Sequence, residues 1–88
     1  MSEGSEKEVG HISNFFEKIY VAGVEVTATI KVGDNLHFKG ATTDFTQVID
    51  SMQIEHQNVA EAHAGNSIGI KVKEKVRKGD KVFLVSQD

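Results

Sequence analysis

The residues that could carry chemistry begin with the glycine-containing stretch AHAGNSIGIKV at positions 62–72. A phosphate-binding P-loop needs the spacing GxxxxGK[ST], so that backbone N–H groups curl around the phosphates. Here Gly65 and Gly69 are four positions apart, and the residue directly after Gly69 is Ile70, where a P-loop has lysine. The spacing excludes a P-loop, and we expect no guanine nucleotide to bind. Gly65 instead predicts a turn, and Gly69 predicts a close passage of the chain within a curved β-wall.

Other side chains capable of catalysis or metal binding are scattered along the chain. The four histidines lie on different segments without i, i+2 or i, i+4 pairing, and there is no cysteine. Glu55 and His56 are adjacent, but neighbours in a strand point to opposite faces. No serine lies in a nucleophile-elbow motif, and Asp44 and Asp50 form a carboxylate pair only if the fold brings them together. We therefore predict no catalytic, cofactor-binding or metal-binding residue, and expect a non-enzymatic protein.

Length and composition limit the architecture. The 88 residues correspond to one domain that buries only about 60–65% of its unfolded surface. No stretch approaches the roughly 18 apolar residues of a membrane-spanning helix. The acidic residues 1–8 lack the apolar core of a signal peptide, and predict a flexible tail ahead of a single domain at 9–88. With the absence of cysteine, these features favour a cytoplasmic protein without membrane contacts.

Alternating apolar and polar residues, separated by glycine turns, predict an all-β fold of the sandwich or small-barrel type. The six expected strands are 9–16, 19–26, 35–40, 46–56, 68–72 and 81–85. Turns are expected around Gly33 and Gly79. Residues 58–64 predict a turn or a single helical turn with Asn58 as its N-cap. The predicted core consists of Val21, Val24, Leu36, Phe38, Val48, Met52, Ile54, Val59, Ile68, Ile70, Val72, Val82 and Leu84 or its neighbours.

Three stretches, in order, resemble the second domain of the translational GTPases, the β-barrel that follows the G domain in elongation factor Tu and bacterial initiation factor two. IKVGDNLHFKG (30–40) resembles that family's K-V-G-D/E turn between strands. SMQIEHQNVAEAHAGNSIGIKV (51–72) resembles its V-E-M-F stretch and the A-G-D/E-x-V-G segment after it. VRKGDKVFLV (76–85) resembles its closing I-x-R-G-x-V-L hairpin. The resemblance implies a closed six-stranded Greek-key β-barrel of the reductase, isomerase and elongation factor type, without the GTP-binding motifs of the G domain.

The resemblance also implies contact positions. The acidic residue of V-E-M-F lies by the terminal adenosine of tRNA in elongation factor Tu, and the matching position here is Gln53. The Asn before V-G helps hold the amino group of the amino acid, and Ser67 stands there instead. The T-T-D-F turn (42–45) is closer to small stand-alone relatives and to barrels appended to collagenase-like peptidases and tRNA-hydroxylating proteins. The expected partner contacts are Thr42, Thr43, Asp44, Phe45, Gln53 and Ser67.

A basic segment is the one departure from a neutral surface. Only Glu74 and Asp80 dilute its positive charge. Such a segment can track a phosphate backbone, and it can equally be a solvated strand edge whose lysines prevent aggregation. The candidate RNA-binding residues are Lys71, Lys73, Lys75, Arg77, Lys78 and Lys81.

Two functions follow as hypotheses. The first is a translation-related, elongation factor-like binding module that contacts tRNA, ribosomal RNA or the ribosome through the basic segment. The alternative is a protein–protein interaction barrel that docks on a larger enzyme, such as a collagenase-like peptidase or a tRNA-modifying protein, through the T-T-D-F turn. The basic hairpin favours the first, and an exposed apolar turn around Phe45 would favour the second. The net charge of −3 argues against strong, indiscriminate nucleic-acid binding.

Overall fold

The computed structural model describes residues 6–85, and within them the protein is all-β, as predicted. The ten strands are β1 (Glu6–Phe16), β2 (Val21–Val26), β3 (Ile30–Lys31), β4 (Asn35–Lys39), β5 (Asp44–Val48), β6 (Met52–Ile54), β7 (Gln57–Val59), β8 (Glu61–Ala62), β9 (Ser67–Lys71) and β10 (Lys81–Val85). Over this range, nothing helical has the length and apolarity that crossing a membrane would need.

Eight of the strands form one antiparallel sheet in the order β5-β4-β10-β1-β2-β9-β6-β7, while β3 and β8 pair separately. The last strand, β10, lies between β4 and β1, so the first and last strands are neighbours. Most of the chain is therefore held by pairings between segments that are distant in sequence. The six strands expected from the sequence become ten because β3, β6, β7 and β8 span only two or three residues, too few for a recognisable alternation.

The predicted closed barrel is not confirmed by the strand pairing. β5 and β7 end the sheet, and within residues 6–85 they do not pair with each other. On the β5 side, the Gln47 side chain spans the gap. Its Nε2 donates to the Lys71 carbonyl at 2.9 Å, and its Oε1 accepts from the Lys73 N–H at 2.9 Å. Because β9 ends at Lys71, an amide side chain stands where a main-chain ladder would close a barrel.

The expected continuous strand at 46–56 is broken into β5 and β6, and its last two residues lie in the turn before β7. Ile49 is buried whereas the adjacent Val48 is half exposed. The Ile49 N–H donates to the Asp34 carbonyl, and the Ile49 carbonyl accepts from the Gly33 N–H, both at 2.9 Å. These bonds tie the chain to the turn between β3 and β4 and shift its inward–outward alternation by one residue. Val48 consequently faces solvent, although the sequence predicted it in the core.

The helical turn predicted at 58–64 is wrong. β7 runs through Asn58, whose Oδ1 accepts a hydrogen bond from Gln53 Nε2 at 3.1 Å and caps no helix. β8 pairs with β3, and the Val32 N–H donates to the Ala60 carbonyl at 2.9 Å. These inter-strand bonds use the main-chain groups that a helical turn would need for itself.

The glycine turns are confirmed, and β1 overlaps the segment predicted as a flexible tail. Gly33 and Gly79 have φ angles of 98° and 96°, a region that glycine enters without steric cost. β1 already begins at Glu6, and its first residues pair with β10. The first strand thus extends into the predicted tail at 1–8. The remainder of that tail, together with residues 86–88, lies outside the described residues.

One hydrophobic core lies on the inner face of the sheet. Its centre includes Phe38, whose ring stacks on Phe45 with centroids 5.0 Å apart. Among the predicted core residues, Ile54, Val59 and Leu84 are only partly buried and pack against it. Val21, also predicted in the core, is only partly buried and faces the opposite side of the sheet. The buried apolar residues are Val9, Ile12, Ala22, Val24, Val26, Ile30, Leu36, Phe38, Phe45, Ile49, Met52, Ala62, Ile68, Ile70, Val72, Val76 and Val82.

Candidate functional site: a groove with a glycine floor

A groove of about 390 Å³ lies on the face of the sheet that points away from the core. In β2, the buried Ala22, Val24 and Val26 alternate with residues that face this groove or continue its surface. We call this feature the groove. It is lined by Ser13, Phe16, Ile19, Val21, Gly23, Gln53, Glu55, His56, Ser67, Ile68 and Gly69.

The floor of the groove is formed by two glycines on neighbouring strands. Gly23 of β2 and Gly69 of β9 are direct cross-strand partners, and Gly69 also faces Gln53 of β6. Side chains at such positions normally stand above the sheet and cover it. Here two adjacent positions carry no side chain. The space above Gly69 is limited only by Val21 Cγ1, 3.3 Å from an added Cβ, whereas Ser13 Oγ and Asn14 Cβ, at 3.2 and 3.4 Å, already cover the same position at Gly23. The main chain is therefore most open at Gly69.

The walls of the groove are apolar and incompletely covered. Phe16, at the end of β1, is 50% exposed, and Ile19, in the following turn, is 61% exposed. Val21 adds further apolar surface, whereas Ile68, which also lines the groove, is buried in the core. A single exposed apolar residue is ordinary, but a contiguous apolar patch with a concave shape is typical of an interaction site.

Two strained turns flank the groove. The turn between β6 and β7 places Glu55 and His56 at φ angles of 52° and 66°, and Tyr20, in the turn between β1 and β2, has φ 52°. Two consecutive left-handed residues form a type I′ hairpin, which normally selects Asn-Gly. Within residues 6–85 these three are the only non-glycine residues with positive φ. Backbone strain of this kind tends to accumulate at functional sites, and here it lies entirely beside the groove.

The charges at the groove are few. Glu55 and His56 are its only titratable lining residues in the described chain, and no lysine or arginine lines it. At the edge, the Ser67 hydroxyl donates to Glu25 Oε2 at 2.5 Å. The groove is therefore an apolar surface with negative charge at one rim.

The expected partner contacts are divided between two places. Gln53 and Ser67 line the groove, as neighbours of the glycine floor. In the T-T-D-F turn, Thr43 and Phe45 are buried, so the exposed apolar turn that would have favoured docking there is absent. Its ring is covered because it stacks on Phe38.

The remaining residue of that turn with a defined contact, Asp44, belongs to an ion-pair cluster. His37 of β4 lies between two carboxylates, with Nδ1 2.8 Å from Glu6 Oε2 and Nε2 2.6 Å from Asp44 Oδ1. We call His37, Glu6 and Asp44 the clasp. The hydrogen bond to Asp44, together with the hydrogen bond and charge of Glu6, raises the pKa of His37 above 6.5 against the opposing effect of burial. The clasp joins β1, β4 and β5 on the outer face of the sheet.

The clasp is not a metal site. The two imidazole nitrogens of His37 each face a carboxylate oxygen, on opposite sides of the ring. The three side chains therefore do not converge on one position where a metal ion could bind. Elsewhere in residues 6–85, no group of three His, Asp or Glu side chains is placed to hold a metal ion.

The basic segment follows the end of β9 and leads into β10. Its six cationic residues are exposed, while Val72 and Val76 are buried and anchor it to the core. Lys75 Nζ lies 3.7 Å from Glu17, and Lys81 Nζ lies 3.6 Å from Glu8. β9 and β10 both have a partner on each side. The segment therefore protects no open strand edge, which removes the anti-aggregation explanation of its lysines.

Sequence reasoning missed most of the groove. A usable signal existed at Phe15 and Phe16, because adjacent strand residues point to opposite faces and one aromatic ring must face outward. The glycine within the strand VAGVEV was a second signal. The strained turn at Glu55 and His56 gave no signal in the sequence, since neither residue is typical of a type I′ turn.

Comparisons with known proteins now bear on the function. No family model matches the chain. It is 38% identical over 81 residues to an uncharacterized protease of Methanocaldococcus jannaschii, covering 91% of this chain and 20% of that protein. It is 35% identical over 77 residues to a collagenase of Porphyromonas gingivalis, covering 85% and 21%. The chain thus spans about a fifth of the length of the curated relatives it matches.

Two solved structures have a similar fold. The C-terminal domain of a putative U32 peptidase from Geobacillus thermoleovorans superposes with a TM-score of 0.84 at 22% identity, covering 89% of this chain and 91% of that domain. Its selenomethionine variant gives a TM-score of 0.83 at 23% identity, covering 86% and 96%. Both structures are of a domain alone, and its extent closely matches that of the present chain.

These findings overturn the resemblance to translation factors. The relatives are a protease and collagenases, and the structural neighbours are peptidase domains. The elongation factor-like assignment is wrong, and so are the expected translation and RNA-binding roles. The contacts expected of the individual cationic residues in the basic segment stay a prediction. The quoted motifs misled because glycine turns such as V-G-D and R-K-G-D recur wherever short antiparallel strands are joined.

Proposed function

We propose that the chain is a non-enzymatic docking domain of a peptidase-like protein, and that it binds the larger remainder of such a protein. The observation that carries this proposal is the length relation. The chain matches a protease and a collagenase over about a fifth of each, and its fold covers 91% and 96% of the two structures of a putative peptidase domain.

The polar groups of the groove support a binding role over catalysis. The Ser67 hydroxyl donates to Glu25, a carboxylate, and has no histidine partner in the described chain that would take its proton. His56 and Glu55 lie in one hairpin turn, where they serve as rim residues. The sequence-based expectation of a non-enzymatic domain is kept as part of this proposal.

The groove is the surface we propose for docking. Phe16 and Ile19 expose half or more of their surface, and aromatic and large aliphatic side chains in a concave patch are typical of interface centres. Gln53 and Ser67 lie in the same patch, so these two stay candidates for contact with the partner. The T-T-D-F turn contributes less, because Thr43 and Phe45 are buried.

The test uses the M. jannaschii protease lacking the stretch that matches this chain. We expect the purified chain to bind this truncated protein saturably in isothermal titration calorimetry. Ile19→Ser should weaken binding by about tenfold or more, the loss expected for an interface anchor. Val48→Ser is the matched control, since Val48 is also about half exposed but lies on β5 away from the groove lining. Absence of binding, or an equal loss for both variants, would contradict the proposal.

A further inference from the structure

We infer that the groove binds an extended peptide segment of the peptidase-like partner, one that presents a large apolar side chain to the glycine floor and an adjacent lysine or arginine to Glu55. This inference rests on the proposed docking function and specifies the chemistry of the segment that docks.

The floor accommodates a bulky side chain. Gly23 and Gly69 are cross-strand partners without side chains, and the floor is most open at Gly69, where an added Cβ would meet only Val21 Cγ1. A groove of about 390 Å³ lies within the range of roughly 300–1,000 Å³ that is typical of ligand pockets. It is large enough for one aromatic or aliphatic side chain together with its flanking backbone.

The walls favour an apolar occupant. Phe16 and Ile19 are among the most exposed large apolar residues of the described chain, and they stand on the same side of the floor, at the end of β1 and in the turn after it. An apolar side chain placed over the glycine floor would remove the side chains of Phe16 and Ile19 from water. The driving force is proportional to that apolar area.

The charge of the rim favours a cation beside the apolar side chain. Glu55 is the single carboxylate among the lining residues, and neither lysine nor arginine lines the groove. Glu25 adds a second carboxylate at the edge through its hydrogen bond with Ser67. An acidic segment would meet uncompensated negative charge here, whereas Lys or Arg would gain a charge-assisted contact.

The hairpin turn fixes the backbone that carries this carboxylate. Glu55 and His56 are fixed by two positive φ angles, and the adjacent strands are linked by the bond from Gln53 Nε2 to Asn58 Oδ1. A turn backbone that is already ordered loses little freedom when the segment binds. Binding of the segment would account for the strained backbone of this turn, which core packing does not explain.

The experiment titrates the isotope-labelled chain with three capped pentapeptides, Gly-Lys-Phe-Lys-Gly, Gly-Glu-Phe-Glu-Gly and Gly-Lys-Ala-Lys-Gly, followed by amide NMR. We expect the first to shift the Gly23 and Gly69 resonances saturably, and the other two to bind at least about fivefold more weakly. Gly69→Ala and Glu55→Gln should each weaken the first peptide by about fivefold or more. Glu74→Gln is the matched control, because Glu74 is exposed and lies outside the groove.

Several results would overturn the inference. Equal binding of the Phe and Ala peptides would remove the apolar requirement, and equal binding of the Lys and Glu peptides would remove the basic one. Shifts centred away from Gly23 and Gly69 would place the segment elsewhere. Concentration-dependent shifts at the groove without peptide would assign it to a second copy of the chain.

The same reagents separate this inference from the proposed function. If the truncated protease binds the chain and Gly69→Ala leaves that affinity unchanged, docking holds and the groove is the wrong surface. If Gly-Lys-Phe-Lys-Gly binds as expected while the truncated protease does not bind, docking is wrong and the peptide specificity of the groove still holds.

Discussion

The outer face of the sheet differs sharply between its two ends. At the β5-β4-β10-β1 end, the clasp places His37 between two carboxylates, and Lys81 lies near Glu8. At the β2-β9-β6 end, the same face carries two unsubstituted glycine positions and apolar walls. Polar side chains satisfy one another on the first surface, whereas the second is left uncovered and is bordered by strained turns. Function is therefore to be sought at the second surface, where a partner would bury apolar side chains that are now exposed.

The largest predicted difference is in the unfolding free energy lost when one phenylalanine is removed from each end of the sheet. Phe38 is fully buried against Phe45, so Phe38→Ala should lower the free energy of unfolding by about 3–5 kcal/mol. Phe16→Ala removes a ring that is 50% exposed and should cost about 1 kcal/mol or less. Urea denaturation followed by circular dichroism measures both. Similar losses would mean that Phe16 is structural and that the groove wall is part of the fold.

A matched pair of glycine substitutions should give the next largest difference. A Cβ at Gly40 would overlap the carboxylate of Asp80, which is buried and accepts the Arg77 N–H at 2.9 Å. Gly40→Ala should therefore lower the unfolding free energy by about 1–3 kcal/mol. A Cβ at Gly69 would meet only Val21 Cγ1 at 3.3 Å, a mobile side chain, and Gly69→Ala should stay within about 0.5 kcal/mol of the parent. A large loss for Gly69→Ala in the same denaturation series would assign that glycine to packing.

Replacing the strained hairpin should sharpen the contrast between stability and binding. Substituting Glu55-His56 by Asn-Gly provides residues that suit the type I′ turn, and should raise the unfolding free energy by about 1 kcal/mol. The same change removes the rim carboxylate and should weaken binding of Gly-Lys-Phe-Lys-Gly. Thermal unfolding and the NMR titration give the two readouts.

The control for this substitution is Glu74-Lys75 to Asn-Gly, at a pair without positive φ. That variant should gain no stability. If the hairpin variant also gains none, the strain assigned to this turn is wrong.

The smallest expected effect is a pH dependence from the clasp. Because the pKa of His37 is raised in the folded state, its contribution to stability is fully present below the unfolded value of 6.5 and is lost as pH rises through the folded pKa. Partly exposed ion pairs contribute at most about 1 kcal/mol. The difference in unfolding free energy between the parent and His37→Gln should therefore shrink as pH rises from about 5 to about 9.

His11→Gln provides the control for the clasp, since His11 is exposed on β1 and forms no ion pair within residues 6–85. The difference in unfolding free energy between His11→Gln and the parent should not shrink in the same way as pH rises. A His37→Gln difference that stays constant with pH would mean that the clasp contributes nothing as an ion pair.

The secondary structure was more predictable than the site. The long alternations of β1, β2, β4 and β10 and the turns at Gly33 and Gly79 follow from local rules that a short window of residues expresses. The strand break at Ile49 does not, because it depends on two hydrogen bonds to the turn between β3 and β4. The groove was visible only in fragments, as an outward-facing Phe16 and a glycine within β2.

By itself, the sequence determined an all-β domain, the positions of its glycine turns and the lack of P-loop spacing. Each of these depends on side-chain period or on backbone freedom within a few residues. Only the tertiary structure decided that Gly23 and Gly69 lie opposite each other, and that Glu6 and Asp44 share one imidazole. These pairs join segments far apart in the chain, and their meeting is set by the order of strands in the sheet, which depends on how the whole core packs.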